Sequence, residues 1–374
     1  MRIGIDARLW NETGVGRYIR NLVWELEKID KKNHYTLFVK TGNREPGIGI
    51  SNDRFKIVET DIRWHTVDEQ LLFHKVLGNE ALDLVHFPYF SIPILYNKPF
   101  VMTVHDLIIN HFPTGKASTL PLPVYYAKRL GYQYILKQAA QKSQHIITVS
   151  EETKREIVQH LKVSDKKVVV TYEGVEKGLK GLGTRDLGLE MDSKYFLYVG
   201  NAYPHKNVER LVEAFQKIAK EFSDVKLVMV GKKNYFYDRV EEQVKELGLE
   251  KHIIFAGGVS DEELAGLYHH AQALVFPSLM EGFGLPGLEA MQNNCLVLAS
   301  DIPVFREIYK DGAVYFNPRE ISTIHATIRQ VLTEKEKFSK YLEKGRERVK
   351  TFSWEKMAKE TLSIYESSVS LRQN

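Results

Sequence analysis

Short apolar runs rich in β-branched residues recur along this chain, each followed by a longer segment with helical spacing, and the series runs through twice. The first half carries RIGID, YTLFV, FKIVE, LDLVHF, FVMTVH, HIITVS and KVVVTY; the second carries YFLYVG, VKLVMVG, HIIFAG, ALVFP, CLVLAS and AVYF. A strand that is apolar on both faces must be covered on both faces, which is the condition of a parallel sheet clothed by helices. Intervening segments such as VGRYIRNLVWELEKI supply that cover. The alternation dictates an α/β architecture, and its restart after the glycine-rich EKGLKGLGTRDLGLEMDS dictates two domains. A chain of 374 residues also exceeds one ordinary core. We expect a Rossmann-like domain over residues 1–175, a linker over 176–193 and a second Rossmann-like domain over 194–352. A terminal helical stretch over 353–374 would cross back to the first domain. In doubly wound sheets ligands sit at the carboxyl ends of the strands, so the two domains are expected to face each other across a ligand-binding cleft.

Charge and cysteine usage narrow the function classes. A formal net charge of +4 is too weak to argue for a nucleic-acid partner, though it suits anionic ligands or a lipid surface. The single cysteine, Cys295, excludes an internal disulfide and any multi-cysteine metal site. The opening MRIGIDARLW lacks an apolar signal core, and the longest apolar run is broken by His86, Pro88 and Pro93. These features lead us to expect a cytoplasmic protein without a membrane span.

Four places carry chemistry. In NETGVGRYIRN, Gly14, Val15 and Gly16 follow the first strand and open a helix, where backbone amides and the helix dipole can hold a phosphate. A tight strand-to-helix turn is the other reading. Ile19 stands where a dinucleotide fingerprint would place its third glycine. In TVHDL, His105 ends a strand and can donate to a phosphate or a sugar hydroxyl, with Asp106 beside it to orient the ring. In YVGNAYPHKN, Lys206 stands just before a helix, where cations are slightly disfavoured unless an anion is to be bound. The fourth place, SLMEGFGLPGLEAM, sets Gly282, Phe283, Gly284 and Leu285 between Glu281 and Glu289, with Pro286 in the first helical turn. Carboxylates at both ends of an anion cradle would repel a phosphate held there, so the two glutamates must serve something else.

Together these segments resemble the retaining glycosyltransferases of family 4, the group 1 glycosyltransferases. The segments TGVGRY, TVHDL, ITVSEET, VTYEGV, YVGNAYPHKN, AGGVSDEEL and EGFGLPGLE occur in that family's order and span nearly the whole chain. The resemblance implies the GT-B fold, with a nucleotide-sugar donor held mainly by the second domain and an acceptor mainly by the first. It gives Glu289 the ribose diol, Glu281 the donor hexose, and the amides of Phe283, Gly284 and Leu285 the sugar or phosphates. His105 matches the family histidine near the donor sugar. The diphosphate would lie between Lys206 and the Gly14–Gly16 loop. Many members have an arginine directly after the strand glycine; here Asn201 stands there, and His205 or Arg17 is left to compensate.

The resemblance also implies retention of anomeric configuration, and with no Asp-x-Asp motif we expect fixed charges in place of a metal cofactor. The opening IGIDARLW and HDLI resemble mannosyltransferase-like enzymes of surface polysaccharide assembly, which points to GDP-mannose as donor and a glycan or lipid-linked glycan as acceptor. A nucleotide-sugar epimerase and a non-catalytic nucleotide-sugar-binding subunit are the rival functions. The segment LPVYYAKRLGYQYILKQAAQK mixes Tyr125, Tyr126, Tyr132 and Tyr134 with Lys128, Arg129, Lys137 and Lys142. Such a helix can rest on the inner membrane face, or its basic side can simply be solvated.

Overall fold

The structure, a computed structural model, describes residues 1–42, 52–112, 121–176 and 194–370. Thirteen strands form two wholly parallel sheets among these residues. The first holds β1 (Arg2–Asp6), β2 (His34–Lys40), β3 (Phe55–Thr60), β4 (Leu84–Phe87), β5 (Phe100–Val104), β6 (Ile146–Thr148) and β7 (Val168–Val170). Its order is β3-β2-β1-β4-β5-β6-β7. The second holds β8 (Tyr195–Val199), β9 (Lys226–Val230), β10 (Ile253–Gly257), β11 (Ala273–Phe276), β12 (Val297–Ser300) and β13 (Ala313–Phe316), in the order β10-β9-β8-β11-β12-β13. Each sheet is doubly wound: its order reverses once, between β1 and β4 in the first and between β8 and β11 in the second.

The local reasons are ordinary ones. Helix Val208–Glu221 buries Leu211, Val212, Phe215 and Ile218, an i, i+1, i+4, i+7 stripe that packs on the second sheet's core. Helix Glu151–Leu161 begins where the Ser150 side chain accepts from the Thr153 amide. Helix Asp261–His270 begins on a capping box formed by Ser260 and Glu263.

The chain divides into two compact units. One comprises Met1–Leu107, the stretch ending at Gly174, and the C-terminal segment from Ser353; the other runs from Val175 to Phe352. The short helix Ile108–His111, expected within the first domain, groups with the second unit. Of the expected linker, residues 177–193 lie outside the described residues.

Within the first unit the C-terminal helix Trp354–Ser370 packs along helix Gly14–Ile29 and against the interior strands β4 and β5. Its Tyr365 hydroxyl lies 2.6 Å from His86 Nδ1, and His86 Nε2 lies 2.8 Å from Thr103 Oγ1. A second tie joins His145 Nδ1 to Ser368 Oγ at 2.8 Å. Gly174 permits this return of the chain, because a Cβ there would stand 2.1 Å from the Trp354 amide nitrogen.

His86 is wholly buried on β4, and burial, with the nearby His105, lowers its pKa to about 3. Its folded pKa is below the unfolded value near 6.5, so the unfolded chain binds more protons between those limits and stability falls as pH falls through them. Up to roughly 1.4 kcal/mol is lost per pH unit crossed. Thermal unfolding followed from pH 7 to pH 4.5 should therefore show a smaller fall in Tm for His86→Gln than for the parent chain. An equal fall in both would assign the acid sensitivity elsewhere.

Candidate active site

At the carboxyl edge of the second sheet, the turn after β8 is anchored by a residue that its own side chain pins. Asn207 is buried in the left-handed conformation at φ 60°. Its Nδ2 donates to Pro277 O at 3.0 Å and to Pro318 O at 2.8 Å, while its Oδ1 accepts from Arg210 at 2.7 Å. The Leu279 amide donates to His205 O at 2.7 Å. The loops that follow β8, β11 and β13 are thereby tied at one point. The preceding residue, Lys206, is held facing the loop that carries Glu281.

Lys206 Nζ donates to Glu281 Oε1 at 2.6 Å, and Ser278 Oγ donates to the same oxygen at 2.7 Å. The two charged side chains are only 14% and 9% exposed, so this pair is largely out of water. Both contacts fall on Oε1, which leaves Oε2 as the oxygen of Glu281 that can meet a ligand.

The helix expected after Pro286's turn spans Leu285–Gln292, and Gly284 caps it at φ 98°. Only glycine fits: a Cβ on Gly284 would lie 2.3 Å from the Tyr309 hydroxyl, and one on Gly287 2.3 Å from Tyr309 Cζ. Buried Tyr309 donates to Gly284 O at 2.5 Å, so the tyrosine holds the turn that presents the first helical amides. Burial raises the Tyr309 pKa well above its usual value, and the charges of Glu281 and Glu289 add to the effect. It thus stays protonated as a donor. Phe283 is buried, its ring 5.6 Å from that of Phe352. Glu289 lies on the helix half-buried, and its Oε2 accepts from the Tyr268 hydroxyl at 3.2 Å. The two glutamates are therefore oriented by different partners.

The position of the missing arginine is filled structurally. Asn201 Oδ1 accepts from the Tyr203 amide at 3.3 Å, and its carbonyl accepts from Tyr198 at 2.5 Å. Its side chain is turned into its own loop. Burial first, then the Lys206 charge, lowers the pKa of His205 to about 4 despite an opposing pull from Glu281. Without a ligand His205 is therefore neutral, and Lys206 is the charged side chain that faces Glu281.

In the first unit, His105 lies beyond β5 with Nε2 3.1 Å from Pro88 O and Nδ1 3.3 Å from Glu173 Oε1. A carbonyl can only accept, so the Nε2 position carries a hydrogen. The orienting carboxylate is Glu173 rather than the expected Asp106, and it comes from the VTYEGV segment 68 residues on. Buried Tyr18 meets the ring edge-on with centroids 4.9 Å apart. Gly14 opens helix Gly14–Ile29 with nothing near its missing Cβ, whereas a Cβ on Gly16 would stand 2.7 Å from Leu9 O and Trp10 O. The Gly16 amide is already used by Thr13 O at 2.7 Å. Gly16 therefore has a packing reason to be glycine; Gly14 has none, and its open side is compatible with a ligand.

Sequence reasoning passed over Asn207, Tyr268, Tyr309 and Glu173. Asn207 adjoins the singled-out Lys206, and Glu173 stands in a quoted segment, so their places were marked though their roles were not.

Residues 184–348 match the family model described as glycosyl transferases group 1, and residues 13–178 match that of glycosyltransferase family 4. The chain is 31% identical over 269 residues to the O-antigen chain mannosyltransferase RfbU of Salmonella typhimurium, covering 72% of this chain and 70% of that protein. It is 28% identical over 276 residues to the MMP alpha-(1->4)-mannosyltransferase of Mycolicibacterium hassiacum, covering 72% and 66%. In fold it is similar to the sucrose-phosphate synthase of Thermosynechococcus elongatus, with a TM-score of 0.81 at 20% identity over 99% of this chain and 100% of the other. It is likewise similar to Anabaena HepE in complex with UDP and glucose, with a TM-score of 0.78 at 15% identity over 98% and 100%. The chain belongs to the family 4, group 1 glycosyltransferases, and its fold is GT-B.

Proposed function

We propose that this glycosyltransferase moves mannose from GDP-mannose to a glycan or lipid-linked glycan, with retention of configuration and without a metal cofactor. The Lys206–Glu281 pair carries the reading. It sets a cation and a carboxylate oxygen side by side in a largely dry turn, which is what a sugar diphosphate presents to a protein in mirror image: an anion with hydroxyls next to it. The mannosyltransferase names of relatives support the choice of sugar.

In this reading Lys206 and the amides around Gly282, Phe283, Gly284 and Leu285 take the diphosphate, Glu281 Oε2 accepts from the hexose hydroxyls, and Glu289 accepts from the ribose diol. The bond between C1 and the phosphate oxygen breaks with its electron pair going to that oxygen, and Lys206 stabilises the charge that develops there. The acceptor oxygen bonds to C1 from the same face and passes its proton to the departing phosphate. Incubation with a panel of nucleotide sugars and a soluble mannoside acceptor tests the reading. GDP-mannose should give an α-linked product by proton NMR with turnover preserved in excess EDTA. A β-linked product, or activity lost to EDTA and restored by magnesium, would overturn the mechanism.

The separate partners of the two glutamates predict separable defects. Glu289→Ala should weaken GDP-mannose and free GDP alike by about 1.5–3 kcal/mol, the worth of a hydrogen bond to a charged group. That is roughly tenfold to a hundredfold in affinity. Glu281→Ala releases Lys206 from its partner, so free GDP should bind as well as before or better, while turnover at saturation falls on the order of a hundredfold through mispositioning of the sugar. Calorimetry with GDP beside steady-state kinetics checks both. Equal loss of GDP affinity in the two variants would remove the hexose from Glu281.

No helix among the described residues is long and apolar enough to cross a membrane. We place the enzyme at the cytoplasmic membrane surface through helix Leu122–Lys142. Tyr125 and Leu136 are buried there, while Tyr126, Leu130, Tyr134 and Lys137 are exposed in one stripe at helical spacing. Arg129 is half-buried, so the outer face is narrower than the sequence implied. Replacing Leu130 with Gln and Lys137 with Glu should weaken binding to anionic liposomes about fivefold or more, since roughly 1 kcal/mol is at stake for the lysine alone. Transfer to a soluble acceptor should be unchanged. Undiminished liposome binding would leave the helix a solvated face.

A further inference from the structure

At the carboxyl edge of the first sheet, beside the β1–β4 reversal of strand order, stands a group of aromatic rings that the donor chemistry does not use. Trp64 and His65 follow β3, and Tyr89 and Phe90 follow β4. Trp64 meets Tyr89 edge-on with centroids 6.2 Å apart, His65 lies 4.7 Å from Trp64 and 5.6 Å from Tyr89, and Phe90 meets Tyr132 edge-on at 4.6 Å. A tryptophan 38% exposed here is a large apolar surface left to water.

The turn that presents it is held by charge. Glu69 is wholly buried; its Oε1 accepts from Arg8 at 2.6 Å and its Oε2 accepts from the His65 amide at 3.0 Å and from Ser91 Oγ. Arg8 also chelates Asp6, at 2.8 Å and 2.7 Å, and donates to Ile62 O at 3.2 Å. His65 is thereby kept at φ 58°, a conformation that a non-glycine residue adopts at a cost. A buried ion pair is a costly means of fixing a surface turn unless the turn's shape matters. Desolvation, with the charges of Arg8 and Lys128, lowers the His65 pKa to about 4, so the ring is neutral and can share hydrogen bonds with hydroxyls.

A second observation points to a ligand. The Tyr132 hydroxyl is buried beside Phe90 and has no hydrogen-bond partner among the described residues. Burial, with the charge of Tyr89 and then of Asp106, raises its pKa, so it is a standing donor. Asp106 is the sequence neighbour of His105, the residue that the family resemblance puts near the donor sugar. The C–H face of a hexopyranose is apolar and weakly positive and suits the negative face of an aromatic ring, while its rim of hydroxyls needs polar partners.

We infer that the exposed Trp64 indole is the platform on which a hexopyranose ring of the acceptor stacks, with Tyr89, edge-on to it, as the adjoining wall and Tyr132 and His65 as the hydrogen-bonding rim. The inference rests on the reading of the chain as a transferase to a glycan, and it specifies where that glycan binds. Saturation-transfer NMR of the full chain with methyl α-D-mannopyranoside, methyl α-D-glucopyranoside and methyl α-D-galactopyranoside, with no donor present, tests it apart from transfer. At least one of the three should receive saturation on its ring C–H protons. The signal should fall at least fivefold in Trp64→Ala and Tyr89→Ala and persist in Trp64→Phe. GDP affinity should be unchanged, and a circular-dichroism spectrum and thermal melt matching those of the parent chain report intact folding of the substituted unit. With p-nitrophenyl α-D-mannopyranoside as acceptor, Trp64→Ala should raise acceptor KM about tenfold and leave kcat within about twofold. No saturation of any glycoside by the parent chain, or signals within twofold of it in both alanine variants, would overturn the platform. Failure of the transferase reading would appear separately, as absence of transfer from every donor sugar.

Discussion

Two hydrogens on one amide hold the second unit's ligand edge together. Asn207 Nδ2 gives one to Pro277 O and one to Pro318 O, carbonyls that leave β11 and β13 and would otherwise be buried without donors. Loss of that amide would free three loops at once. Lys206, one residue before it, and the Ser278–Glu281 turn, which begins directly after Pro277, are registered against each other by this contact. Their pairing at 2.6 Å is a consequence of it rather than an independent feature.

The same economy governs the glutamates. Tyr309 donates to Gly284 O and leaves no room for a Cβ at Gly284 or Gly287, so the chain must turn there and start its helix there. Glu281 precedes the turn and Glu289 lies one helical stretch beyond it, each with its own hydroxyl donor, Ser278 and Tyr268. A carboxylate that accepts a bond from a fixed hydroxyl is fixed in direction. The first unit does the comparable thing with charge: Glu69 is held by Arg8 and in turn holds the backbone of a surface turn.

Much of this was legible in the sequence. The thirteen apolar runs are the thirteen strands, because a parallel strand buried on both faces can hardly be written in other residues. The glycines and proline of EGFGLPGLE announced the helix start that Gly284 caps. The family order of the motifs then identified the fold and the class of enzyme. Gly16 shows the limit of such reasoning: read as a phosphate-loop glycine, it is required by the packing of Leu9 and Trp10.

What the sequence by itself determined is therefore whatever depends on neighbours along the chain: periodicity, turn chemistry, caps, and the residue types offered at the strand ends. What only the tertiary structure decided is which of those residues meet. Lys206 reaches Glu281 across 75 residues, Asn207 reaches Pro318 across 111, and Tyr365 reaches His86 across 279. No local pattern encodes such pairings, since each partner is compatible with many others until the sheets set the strand order. Parallel winding brings distant strand ends to one edge, and there a neutral His205, a self-engaged Asn201 and a Glu173-bound His105 acquire roles that their types alone leave open.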